Sequence, residues 1–287
     1  MPASEEAAVS TRVRDVMTSR LGELRHEPVA RRVRAELGGR TVLDSTRAVL
    51  VWEPRRVVPS YAVPVEDVHA ELVARERGAL ADDSVGLPLP EVSSRPVLDP
   101  SVPFAVHSAD GQPLELRSGG AVAAAFRPAD ADLAGHVVLD FDGFDAWYDE
   151  DERIVSHPRD PFHRIDVLPS SRSVQLELGG ELLAESGRPR LLFETLLPTR
   201  FYLDPAEVRV PLHPSPTRTW CAYKGEASYW SAEVGGELVP DLVWGYPEPR
   251  HDAAGVAGLV CFFDERVDVV LDGVRRERPV TPWSPRR

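Results

Sequence analysis

The stretch Trp220–Trp230, "WCAYKGEASYW", holds the only lysine of a 287-residue chain. Lys224 lies three residues after Cys221, one of two cysteines, and four aromatics surround it. An ammonium binds a carboxylate or phosphate as a point charge. Stripped of water, it loses its proton more easily and serves as a base or Schiff-base nucleophile. A thiol beside an ammonium gains thiolate character. Lys224 and Cys221 are therefore the candidate catalytic residues. The plainer alternatives are a surface lysine and a small buried hydrophobe. Cys261, inside "GLVCFF", reads as core.

A second constellation is aromatic. Tyr223, Tyr229, Trp230, Trp244 and Tyr246 fall in one short segment. On strands, adjacent Tyr229 and Trp230 face opposite sides, whereas Trp244 and Tyr246 share one. Aromatic walls bind planar or cationic ligands by stacking and cation–π attraction. The expected ligand-binding set is Tyr223, Ser228, Trp230, Trp244 and Tyr246, with Glu194, Arg200 and Tyr202 beside them. Arg200 and Tyr202 are read as part of an overhanging loop. The alternative is a plain aromatic core. Glu226 is either an acid–base group beside Lys224 or an exposed hairpin carboxylate.

An internal repeat must position these residues. "VRAELGGRTVLDSTRAVLVWE" (Val33–Glu53) and "VQLELGGELLAESGRPRLLFE" (Val174–Glu194) align without a gap, with 9 of 21 positions identical. "PSYAVPVEDV" (Pro59–Val68) then matches "PTRFYLDPAEV" (Pro198–Val208), and Ala134–Asp151 matches Val256–Gly273. The expected organisation is a helical leader (1–30), a divergent first β module (31–165), a second β module with the candidate site (166–278) and a tail (279–287). Alternating "VQLELGG" ends in a Gly-Gly hairpin signal. "DPAEVRV" predicts one helical turn, Glu66–Ala81 a longer helix, and 82–103, rich in proline, an irregular connection.

Setting Gly119-Gly120 against Gly235-Gly236 places Ala105, His107 and Ser108 opposite Cys221, Tyr223 and Lys224. The polar constellation is thus expected in the second copy alone. Glu53 and Glu194 share one repeat position, as do Arg47 and Arg188, so a Glu–Arg pair within each copy is expected.

Composition narrows the classes. A net charge of −13 argues against nucleic acid and anionic membranes, both of which need a basic face. Two cysteines make no thiolate zinc site. The N-terminus lacks an apolar core of the secretory kind, and no apolar run is long enough to span a bilayer. The expectation is a cytoplasmic protein with reduced thiols, no cofactor and no metal. The acidic runs "DFDGFD" and "YDEDE" lack calcium-loop spacing and read as solvated turns. Abundant Arg, Ala and Pro beside one Lys point to a GC-rich bacterial genome.

"ELGGELLAES", "FYLDPAEV", "CAYKGEASYW", "LVWGYPEP" and "AGLVCFFDERVDVVLDG" occur in order across the second half. In these pieces the chain resembles the bacterial domain of unknown function 427 family, with the first half similar to a divergent second copy. The resemblance implies a mainly β domain of the β-tent, Mss4-like barrel type, here without that group's paired zinc cysteines. It implies no established activity. Nucleotidyl transfer finds neither a Gly-Ser with paired aspartates nor a P-loop in this sequence. Three readings follow. One is a small-molecule binder anchored by Lys224. Another is an enzyme using Lys224 or Cys221. The third is an interaction module.

Overall fold

The computed structural model describes residues 10–76, 86, 87, 89, 96–99 and 101–284. The chain is mainly β, and each half builds the same pair of antiparallel sheets. The seven-stranded sheet of the first half runs Arg25–Pro28, Val49–Trp52, Ser60–Pro64, His136–Leu139, Ala121–Pro128, Gly111–Ser118, Glu71–Ala74. That of the second half runs Ile165–Pro169, Arg190–Glu194, Arg200–Leu203, Val260–Phe262, Glu237–Gly245, Gly225–Val234, Leu212–Cys221. Four-stranded sheets centred on Val33–Leu37 and Val174–Leu178 pack against them.

The duplication extends to irregularities. A bulge falls after Ala35 in one half and after Leu176 in the other. An isolated bridge joins Leu43 to Val68 and Ala184 to Val208. The Gly-Gly pairs at 38–39, 119–120, 179–180 and 235–236 all have positive φ at both residues. A two-residue hairpin turn that follows the strand twist demands this, and glycine adopts it without a Cβ penalty. The alignment of 119–120 with 235–236 is the alignment of equivalent hairpins.

Alternation sets the cores. Val33, Ala35 and Leu37 point inward and meet Leu50, Val63, Leu116 and Val137 from the larger sheet. Val174, Leu176, Leu203, Val243 and Phe262 repeat the arrangement in the second half. The outer face of each large sheet carries a further apolar layer. In the second half this includes Leu192, Tyr202, Trp244, Tyr246, Cys261 and Phe263.

Several expectations need correction. The sheets stay open and close no barrel. The leader is helical over Val13–Thr18, but Arg25–Pro28 is a strand paired with Val49–Trp52. The helix predicted over Glu66–Ala81 is a 3-10 turn, Val65–Asp67, followed by the strand Glu71–Ala74. The unpaired edge of Gly111–Ser118 captures this segment, and tertiary pairing overrides helix propensity. Residues 77–81 lie outside the described residues, as does most of 82–103, where Gly86–Leu87 pairs with Val97–Leu98. The turn read from "DPAEV" forms at Pro205–Glu207, capped by Asp204. Among the described residues, no helix is long and apolar enough to cross a membrane.

At Gly245 a Cβ would sit 2.6 Å from the Leu259 carbonyl oxygen, whereas at Gly187 it would meet nothing within 4 Å. Overpacking of this kind costs about 1–3 kcal/mol. Gly245→Ala is expected to lower stability by that amount in urea unfolding, and Gly187→Ala to leave it nearly unchanged.

Candidate functional site

Glu194 ends the strand Arg190–Glu194 with its side chain buried at 6 % exposure. Lys224 closes the turn between Leu212–Cys221 and Gly225–Val234, and it too is buried. The ammonium donates to both carboxylate oxygens, at 2.6 and 2.5 Å. His163 Nε2 reaches Glu194 Oε1 at 3.0 Å from the segment joining the two halves. Its ring stacks on Tyr223, with centroids 4.1 Å apart, and His157 meets the same ring edge-on. The Tyr223 oxygen accepts the Asp160 backbone N–H at 2.7 Å, which leaves its own proton free to be donated.

Electrostatics fix the protonation states. Burial opposes charge on Glu194, but Lys224 and His163 outweigh it and bring the carboxyl down to about 2. Burial likewise opposes the Lys224 ammonium, and Glu194 outweighs it, so lysine is held above its ordinary value. A lysine held charged is a poor base and a poor nucleophile. The geometry brings the Cys221 thiol beside Lys224. Among the described residues, however, no histidine hydrogen-bonds that thiol. Cys261 is wholly buried, as expected.

The aromatic set divides across the sheet. Trp244 and Tyr246 share a face, and Tyr229, not Trp230, joins them. Trp230 packs into the core on the opposite side, because it follows Tyr229 on one strand. Arg200 and Tyr202 are not in a loop. Both are buried on the strand Arg200–Leu203. Arg200 forms a bidentate pair with Glu265, at 2.9 and 2.6 Å, and Thr281 donates to the same glutamate. Tyr202 stands edge-on to Trp244. Ser228 lies mid-strand opposite Arg218 and Gly245. Glu226 faces Arg218 at 3.8 Å, with both side chains nearly half exposed.

The first half was expected to have lost its polar cluster, but it keeps one. Glu53, the counterpart of Glu194, is 3 % exposed and accepts from His107 Nδ1 at 2.8 Å and from the N–H groups of Ser108 and Ala109. His107 Nε2 lies 3.7 Å from Asp140 Oδ2, and its ring stacks on Phe126. Burial works against the imidazolium, but Asp140 and Glu53 outweigh it and push His107 up to about 9. A buried carboxylate with a cation is thus common to both halves. The expected Glu–Arg pairs do not form. Arg47 reaches Glu66 and Asp67, and Arg188 extends into solvent toward Glu207. Asp140, read as part of a solvated run, is buried.

In front of His163 and Tyr223 lies a cleft of about 340 Å³. Arg31, Arg159, Arg164, His251, Asp160 and Asp252 complete its walls. Arg159 pairs with Asp252 at 2.5 Å and crosses the Tyr223 ring, while Arg31 holds Asp149. Sequence reasoning missed His157, Arg159 and His163. Their signal was "VSHPRDPFHR", two histidines and two arginines packed into a segment between repeats.

Removing one partner of a buried ion pair costs about 3–5 kcal/mol, because the other charge is stranded. Lys224→Met is expected to lose that much, and Glu194→Gln added to it to recover a large part, both read from urea unfolding. The Glu194 contribution is present above pH about 4.5 and is lost as pH falls toward about 2. In the first half the sign reverses. The His107 contribution is complete below pH about 6.5 and is lost as pH rises through about 9. Thermal melts of His107→Gln across pH 6–10 are expected to be flatter than those of the wild type.

The family model for the domain of unknown function DUF427 matches residues 25–82 and 166–273, together more than half of the chain. None of the curated proteins matches it. Both matched segments begin on the edge strand beside a buried glutamate; the second runs on to Gly273, and the first stops at 82, before the strand Gly111–Ser118. The chain belongs to the DUF427 family and carries the domain as two copies in tandem.

Proposed function

We propose that this protein binds a small anionic molecule in the cleft over Tyr223 and His163, between the two β modules. The observation that carries the reading is the convergence there of Arg31, Arg159 and Arg164, each paired with one carboxylate (Asp149, Asp252 and Asp166) and with further guanidinium donors left over, and of a tyrosine whose hydroxyl proton is uncommitted. Guanidinium groups match carboxylate and phosphate geometry, and ligand clefts favour junctions between domains. Lys224 acts here from behind. It neutralises Glu194, which holds His163 in place, and the ligand meets the histidine and not the lysine. The aromatic anchor is Tyr223, while Trp244 and Tyr246 belong to the apolar layer outside the cleft lining.

One observation favours an enzymatic reading of the same cleft. His163 is oriented by a buried carboxylate and faces the opening, the arrangement of a general acid–base. In that reading His163, not Lys224 or Cys221, moves the proton.

The test is a thermal-shift and calorimetric titration with inorganic phosphate, malonate and phenyl phosphate. Ligand at about 100 times its Kd stabilises by about 2.7 kcal/mol. Phenyl phosphate is expected to stabilise the wild type, and Tyr223→Phe and Arg164→Gln each to weaken binding about tenfold, the loss of one charge-assisted contact. Equal responses from all three proteins, or none to any anion, overturn the proposal.

A further inference from the structure

A second, larger cleft of about 790 Å³ opens on another side of the junction. Its floor is aromatic. Phe141 and Trp147 stack with centroids 5.3 Å apart and planes 8° from parallel, Phe144 tilts onto Trp147 at 4.9 Å, and Phe104 flanks Phe141. Trp220 closes it from the second half. Although large and apolar, this side chain is 53 % exposed, at the end of its strand. An exposed indole in the lining of the same cleft as these rings is a wall open to solvent rather than a packed core.

The charges in this cleft are unevenly matched. Its two arginines already have partners. Arg250 pairs with Glu152 at 2.6 Å and donates to the Arg153 carbonyl, and Arg153 donates to the Asp145 carbonyl. The carboxylates lack cationic partners. Asp142 and Asp145, both in the lining, make no ion pair among the described residues, and the Asp145 carboxylate accepts the Gly39 N–H. Two residues from Asp142, Asp140 is 2 % exposed and neither of its oxygens has a hydrogen-bond partner. The cation beside Asp140 is His107, 3.7 Å away, which it shares with Glu53, while Arg56 directs its two Nη groups to the carbonyls of Val102, Pro103 and Val106. Burial and the charge of Asp140 push the Asp142 carboxyl above its ordinary range, against the smaller opposing effects of the Phe104 N–H and Arg56.

We propose that this cleft is a binding site for a small organic cation, an amine with an aromatic or aliphatic body. Its body lies between Phe144 and Trp220, over the buried Phe141–Trp147 stack, and its charge faces Asp142 and Asp145. Ring faces and carboxylates without ion pairs attract the same cationic head. The site shares no lining residue with the Tyr223 cleft.

The experiment is a tryptophan-fluorescence titration of the full chain with phenethylammonium, its neutral isostere 2-phenylethanol and anionic 3-phenylpropionate. Saturable quenching by phenethylammonium is expected, with affinity at least about tenfold above that of the other two, a typical size for a desolvated cation–π contact with a facing carboxylate. Asp142→Asn, an exposed position without an ion pair, is expected to weaken the cation about tenfold and leave 2-phenylethanol unchanged. Trp220→Phe keeps a ring in place and is expected to retain binding, read by calorimetry, while Trp220→Ala loses it. Equal affinity for the neutral isostere, preference for the anion, absence of saturation, or indifference to Asp142→Asn overturns the proposal.

Discussion

A carboxylate at the end of a buried strand constrains both halves of this protein. Glu53 and Glu194 leave water where the large sheet meets the segments that cross its end. A lone buried charge is so unfavourable that the surroundings must answer it with donors. In the second half the donors are Lys224 and His163, and in the first His107 with two backbone N–H groups. Each answer fixes a piece of chain that has little regular structure. Glu194 holds a hairpin turn and the junction between modules, and Glu53 holds the loop through Ala109. The positions of both clefts follow from where these segments are tied down.

Duplication kept the constraint and changed the means. Sheet order, bulges and hairpins are the same in both copies, because the pleat permits few alternatives once one face is buried. Around the carboxylates the copies diverge. By register, Phe126 stands where Trp244 stands, and Asp140 where Phe263 does. At that position a carboxylate in the first copy lies beside His107, and a ring in the second packs on Trp244, although both copies keep a buried ion pair.

Much of this was legible in the residues. Gly-Gly pairs and strict alternation marked the strands, and the 9 matches between Val33–Glu53 and Val174–Glu194 marked the duplication. The lone lysine pointed to the right place for the wrong reason. Its neighbours suggested an open ligand anchor, but its partner lies thirty positions upstream, and no local pattern announces a pairing across a sheet. The histidine that faces the cleft was illegible for a related cause. Between repeats, "VSHPRDPFHR" carries no periodicity, so nothing in it states which side chains turn inward. Trp230 was misplaced because strand alternation gives relative faces but not which face meets the site. The helix expected at Glu66–Ala81 failed because an open sheet edge offered hydrogen bonds to the same residues.

The outermost strand of the second large sheet, Leu212–Cys221, carries Pro214 and Pro216 and breaks register between Pro214 and Arg218. Proline has no amide hydrogen to offer, and a break in register twists the border away from flatness. An open sheet of seven strands is otherwise a template onto which a neighbouring chain can add its own. These prolines therefore act in solution as well as in the fold. They blunt this border against templated self-association without the sheet closing into a barrel.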